Sequence, residues 1–250
     1  ARRLSPHACT SNSQTQYQRP LAMRPILVFD VNETLLDLRA MHAPFETLFG
    51  DGSLRSEWFG ALLRKMLVTT ITGPYVDFEE LGVAALEHVA ATHHRTLSDD
   101  DTRTVLDAMR QLPPQEDARP ALTRLRDADY RCVALSNGTP DALAAQMEHA
   151  NLASFFDLVV SADAAGRLKP APEPYRWLAN RLDVDPSRLC MIAAHAWDTT
   201  GAQRAGCRAG FVARSGKRLS AVDPRPAVVG TTLLDVVDQV MALPSLTGKT

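Results

Sequence analysis

The stretch Ile26-Leu27-Val28-Phe29-Asp30-Val31-Asn32-Glu33-Thr34-Leu35-Leu36-Asp37 decides the fold. Its four leading apolar residues read as a short strand buried on both faces, and a carboxylate stands where that strand ends. In open α/β sheets the carboxyl ends of the strands hold the ligand, so Asp30 is expected at the mouth of a crevice. Aspartate also caps turns for purely local reasons. The choice between these readings depends on what ends the other strands.

Those strands return after Pro113-Pro114. A helix at 118–128 precedes the strand Cys132-Val133-Ala134-Leu135, which runs into Ser136-Asn137-Gly138-Thr139-Pro140. After another helix comes a strand around Leu158-Val159-Val160, and Gly166-Arg167-Leu168-Lys169-Pro170 leads into a helix with Tyr175 and Trp177. The strand Leu189-Cys190-Met191-Ile192 ends in Ala193-Ala194-His195-Ala196-Trp197-Asp198. Short strands around 208–213 and 227–229 and a helix at 231–242 close the pattern. Strands separated by helices of this length imply right-handed crossovers and a parallel, doubly wound sheet. The expected fold is α/β, a Rossmann-like core over 23–38 and 113–250.

Residues 39–112 break the alternation and are expected to form an inserted helical cap. Phe59, Leu62, Leu63, Met66 and Leu67 recur at helical spacing. Gly73-Pro74 ends that helix, residues 77–94 resume the pattern, and Ser98 followed by Asp99-Asp100-Asp101 reads as an N-cap with an acidic first turn. That acidic run is a solvated helix start far more readily than a metal site. Residues 1–22 lack acidic side chains and are rich in Ser, Thr, Gln and Asn. They are expected to be a disordered leader outside the fold.

The bulk numbers narrow the classes. An apolar fraction of 45% and a charged fraction of 22% are those of an ordinary globule. A net charge of −2 offers no electrostatic case for nucleic acid or an anionic membrane. Cys9, Cys132, Cys190 and Cys207 form no CxxC pair, which favours reduced thiols and a cytoplasmic setting over metal or disulfide.

Polar residues thus end successive strands: Asp30, Ser136-Asn137, and His195 with Asp198, joined by Lys169 from a loop. With the DxxxT form of Asp30–Thr34, the LSNG of Leu135–Gly138, Lys169-Pro170 and the AWDxxGA of Ala196–Ala202, the chain resembles the haloacid dehalogenase superfamily over residues 25 to about 242. Within it the chain is most similar to the type II 2-haloacid dehalogenases. The resemblance implies a cofactor-free hydrolase that cleaves the carbon–halogen bond of a short 2-halocarboxylate through an aspartyl ester, with no metal. A small-molecule substrate is the expected partner, with a homodimer possible.

The residue types suit that chemistry. A carboxylate held ionised and aimed is a workable nucleophile, so Asp30 attacks. Lys169 would keep it ionised. Thr34 hydrogen-bonds it or starts a helix, and Asp198 orients Lys169 or the hydrolytic water. Ser136 and Asn137 donate to a substrate carboxylate or to Asp30, or simply build a turn. Asn32, Phe59 and Tyr175 complete the expected substrate-binding set.

Several departures sharpen the choice. Phosphatases of the superfamily carry an acid two residues after the nucleophile; here that place is Asn32, which is no general acid. They hold Mg²⁺ with neighbouring acids where this chain has His195 and a single Asp198, and hard Mg²⁺ favours oxygen ligands. A Mg²⁺-dependent phosphatase, or a non-catalytic carboxylate-binding relative, is therefore the alternative. Within the dehalogenase resemblance, Ala193-Ala194-His195 replaces the usual Ser-Ser-Asn, and His195 either activates water or is structural. The cap arginine that such enzymes use near halide and substrate falls on Phe59, which otherwise belongs to the cap core.

Overall fold

The structure, a computed structural model, describes residues 24–243. The expected leader over 1–22, and Cys9 with it, lies outside them. Among the described residues the centre is a parallel sheet of six strands: β1 (Ile26–Phe29), β2 (Cys132–Ser136), β3 (Leu158–Ser161), β4 (Leu189–Ala193), β5 (Arg208–Val212) and β6 (Val228–Gly230). Their order is β3-β2-β1-β4-β5-β6. The chain winds outward from β1 in one direction, then returns to β4 beside β1 and winds the other way. The switch point therefore lies between β1 and β4, where Phe29 pairs with Ile192, and there the strand ends leave a crevice.

The uninterrupted apolar run of β1 follows from burial on both faces. Leu27 and Phe29 join Cys132, Ala134, Cys190 and Ile192 in one layer. Ile26 and Val28 join Val133, Leu135 and Met191 in the other. Helices α5 (Ala118–Asp127), α6 (Pro140–His149) and α9 (Leu233–Ala242) cover the first layer; α7 (Pro172–Arg181) and α8 (Ala196–Arg204) cover the second.

Four helices stand between β1 and α5: α1 (His42–Phe49), α2 (Leu54–Thr72), α3 (Phe78–Thr92) and α4 (Asp99–Arg110). Their boundaries have local causes. Gly73, at φ 57°, stops α2. The Asp77 side chain accepts from Glu80 N to start α3. Ser98 and Asp101 form a reciprocal capping box at α4, so the acidic run is a helix start as the sequence suggests. Helix α1 is absent from the sequence reading because it buries only Phe45 and Leu48 and carries Pro44 in its first turn. The block joins the sheet layer continuously: Phe45, Trp58, Phe59 and Leu62 belong to the same apolar cluster as Phe29.

Cys132, Cys190 and Cys207 are buried free thiols, and burial pushes each up to about 12. No helix among the described residues is long and apolar enough to cross a membrane.

Candidate active site

Asp30 leaves β1 with its backbone N–H on Ile192 O, 3.1 Å, which ties the turn to β4. Its carboxylate is held at both oxygens: Lys169 Nζ donates to Oδ1 at 2.9 Å and Thr34 Oγ1 to Oδ2 at 2.8 Å. Thr34 in turn accepts from Ala194 N at 2.9 Å, so one hydroxyl couples the ends of β1 and β4. Thr34 starts no helix.

Lys169 is the centre of the site. Fully buried, it places Nζ 2.9 Å from Asp30, 2.7 Å from Asp198 Oδ2 and 2.7 Å from Leu135 O. These acceptors use all three ammonium protons. Burial alone would depress its pKa, but the two carboxylates override that and raise it. Asp198 accepts from Lys169 and also stands in the first turn of α8. Burial pushes its own carboxyl up, opposed by the Lys169 ammonium. Tyr175 OH donates to Asp198 Oδ1 at 2.6 Å. Burial and the neighbouring carboxylate push Tyr175 well up, so it stays a phenol.

The remaining candidate residues sit as follows. Asn137 has both ends of its amide on the Lys169 main chain: Oδ1 accepts from Lys169 N at 2.8 Å and Nδ2 donates to Lys169 O at 3.0 Å. The same Nδ2 lies 3.1 Å from Met66 Sδ of α2. Ser136 Oγ accepts from Gly138 N at 3.1 Å, shaping the turn. Tyr175 and Asn137, both in the expected substrate-binding set, engage Asp198 and the Lys169 main chain with polar atoms that burial requires to be satisfied. Asn32 accepts from Gln146 Nε2 at 3.0 Å, and Gln146 also donates to Met109 O of α4 at 2.8 Å. Gln146 was not singled out from sequence; a buried glutamine is recognisable only once its partners are known.

Phe59 packs in the apolar cluster, and its ring also faces His195, 6.1 Å between centroids. Trp197 stacks on His195, its ring 5.0 Å away at 29°. Trp197 Nε1 is a buried donor without a protein partner among the described residues. His195 Nε2 lies 3.2 Å from Glu33 Oε2, another residue that the sequence reading passed over. A cavity between the helical block and the strand ends is lined by Asn32, Trp58, Leu62, Phe78, Met109 and Gln146.

Chemically, the site presents a buried carboxylate 2.9 Å from a buried lysine ammonium, at the switch point of a doubly wound sheet. Fold and site together define a doubly wound α/β protein whose candidate nucleophile is a carboxylate. Comparison with known proteins is more specific. The profile of the haloacid dehalogenase-like hydrolases matches residues 25–206. (S)-2-haloacid dehalogenase 1 of Pseudomonas sp. strain CBS-3 is 32% identical over 177 residues, covering 70% of this chain and 78% of that protein. The L-2-haloacid dehalogenase of Xanthobacter autotrophicus, solved with chloropropionic acid covalently bound, superposes with a TM-score of 0.82 at 26% identity, over 88% of this chain and all of that one. A plasmid phosphoglycolate phosphatase of Cupriavidus necator is 29% identical over 228 residues, covering 89% of this chain and 86% of that protein. The chain belongs to the haloacid dehalogenase-like hydrolase family.

Proposed function

We propose that this hydrolase displaces halide from C2 of short 2-haloacids, with Asp30 as nucleophile and an aspartyl ester as intermediate. The observation that carries the reading is the Asp30–Lys169–Asp198 cluster. It sets the Lys169 ammonium 2.9 Å from the candidate nucleophile, an opposite charge that favours the ionised carboxylate. Halide leaves without a proton, and Asn32, at the position where phosphatases carry an acid, is an amide held by Gln146. The covalent adduct in the Xanthobacter autotrophicus structure supports the same chemistry. In this reading 39–112 is a cap domain over the core of 23–38 and 113–250, and the cavity beside Asn32 takes the substrate's apolar end. Ser136 turns the loop that borders it.

The test is halide release from 2-chloro-, 2-bromo- and fluoro-acids. Activity is expected to survive EDTA, because the carboxylate oxygens of Asp30 and Asp198 that a cation would need already accept from Lys169, Thr34 and Tyr175. Loss of activity with EDTA and its return with Mg²⁺ would instead favour the phosphatase chemistry of the Cupriavidus necator relative.

Phe59 bears on substrate choice. A guanidinium at this place would give halide and substrate carboxylate a charge-assisted hydrogen bond of roughly 1.5–3 kcal/mol. Its absence corresponds to about a ten- to hundred-fold loss on small 2-chloroacids. The enzyme is therefore expected to prefer a bulkier, more apolar acid that packs on the ring. Phe59→Arg should raise chloroacetate turnover. A destabilised variant with no gain assigns Phe59 to packing alone.

A further inference from the structure

The turn that carries the nucleophile also carries a charged side chain with no part in the Lys169 cluster. Glu33 immediately precedes Thr34, and its backbone lies in the left-handed region at φ 62°. A non-glycine residue held there is strained. In that conformation Glu33 Oε2 sits 3.2 Å from His195 Nε2 and 2.5 Å from Lys217 Nζ. Burial favours the neutral acid, but the contacts to His195 and Lys217 outweigh it and hold Glu33 below the usual carboxylate range.

A carboxylate facing Nε2 fixes the proton of the neutral imidazole on that nitrogen and leaves the lone pair on Nδ1. The ring is held between aromatic neighbours, Trp197 at 5.0 Å and Phe59 at 6.1 Å. His195 directly follows Ala194, whose N–H is one hydroxyl away from the Asp30 carboxylate. The charged groups around the ring are few. The β1 turn gives Glu33 and, beyond Thr34, Asp30; the segment after β5 gives Lys217 on Glu33 and Arg214 on Thr34 O and Asp117. Helix α2 presents the apolar Phe59, and Asp198 of α8 is turned to Lys169.

We propose that Glu33 is a positioning residue that holds His195 as the base for the water that opens the Asp30 ester. The inference rests on the dehalogenase reading for the identity of that ester. In the step, the water oxygen bonds to Asp30 Cγ and one water proton passes to His195 Nδ1. The tetrahedral intermediate collapses by breaking the Cγ–O bond to the substrate. The departing alkoxide takes the remaining proton of the added hydroxyl, which restores the Asp30 carboxylate. His195 then releases its proton to solvent, while the Glu33 carboxylate stabilises the imidazolium in the interval.

The experiment follows the His195 imidazole by NMR titration, with its resonance assigned from a His195→Gln variant, and in parallel measures ester formation and ester hydrolysis by rapid quench. Glu33→Gln removes the negative charge, so the His195 midpoint is expected to fall. Ester hydrolysis is expected to slow about 10- to 100-fold, with the basic form of His195 governing its pH limb. Lys217→Met frees Glu33 from its competing cation and is expected to move the midpoint the opposite way. Should Glu33→Gln fold poorly, Glu33→Gly serves the same purpose with a backbone suited to φ 62°.

An unmoved His195 midpoint overturns the coupling. A midpoint that falls while ester hydrolysis keeps its rate and pH limb leaves a structural ion pair and overturns the role in water activation. If the parent protein releases no halide from any 2-haloacid, the dehalogenase reading fails and the role of His195 at the ester fails with it. The titration then still decides whether Glu33 and His195 act as a pair.

Discussion

Asp30→Asn is expected to abolish turnover, by about 10⁴-fold or more, while the protein stays folded. The amide has nearly the shape of the carboxylate and can still accept the Thr34 hydroxyl, which lies 2.8 Å from Oδ2 in the parent. Lys169 loses one of three acceptors but keeps Asp198 and Leu135 O, each at 2.7 Å, so its charge is not stranded. What disappears is the anionic lone pair that attacks carbon, and no neighbouring group replaces it: Asp198 is fully buried behind Lys169. The covalent route also fixes where oxygen goes. In a single turnover in ¹⁸O-water, label should enter the Asp30 carboxylate, because water opens the ester at Cγ and the product keeps an aspartyl oxygen. Label found in the product alone would mean direct attack by water and would sink the ester mechanism. Turnover that survives in Asp30→Asn would remove Asp30 from the chemistry altogether.

How far the site could be read from sequence depended on the kind of contact. Asp30, Asn137 and His195 follow apolar runs, and a parallel sheet brings the ends of neighbouring strands together, so periodicity alone puts these residues near one another. Lys169 comes from a loop; only its place in an ordered set of motifs tied it to Asp30, 139 positions away. Other contacts carry no local sign. The Lys217–Glu33 pair spans 184 positions, and the left-handed backbone at Glu33 is not something a glutamate announces. The Tyr175 hydroxyl on Asp198 is likewise invisible in sequence, since burial selects that partner. The same holds for Asn137 and Gln146: each buried amide must satisfy its own polar atoms, on main-chain groups or Asn32. The strand and helix boundaries, by contrast, rest on caps and breakers written in adjacent residues. Ser98 with Asp101 and Gly73 with Pro74 are legible for that reason.

Lys169→Met is expected to damage stability and activity together, and the two effects separate on a second substitution. The fully buried ammonium faces Asp30 at 2.9 Å and Asp198 at 2.7 Å. Removing it leaves two acids in an apolar surrounding with only the Thr34 and Tyr175 hydroxyls to support them. Breaking a buried pair in this way costs about 3–5 kcal/mol, or a fall in Tm of roughly 6–20 °C for a chain of this size. The acids escape the cost by taking up protons, a protonated Asp30 is no nucleophile, and turnover should drop by at least about 10³-fold. The pH dependence of the parent has a definite sign. The folded pKa of Lys169 is raised above the ordinary 10.5, so its contribution is complete below that value and disappears only as pH climbs through the folded pKa. Acidification does not remove this contribution by titrating the lysine. The double variant Lys169→Met/Asp198→Asn removes one of the stranded acids and should recover part of the lost Tm, a non-additive result expected of groups in one network. It should recover no activity, since Asp30 still lacks the cation that keeps it ionised. Thermal melts and halide release on the parent, the single and the double variant decide the matter. A single variant that melts with the parent would show that Lys169 contributes little to the fold, and a double variant that regains turnover would show that Asp30 is kept ionised by something else.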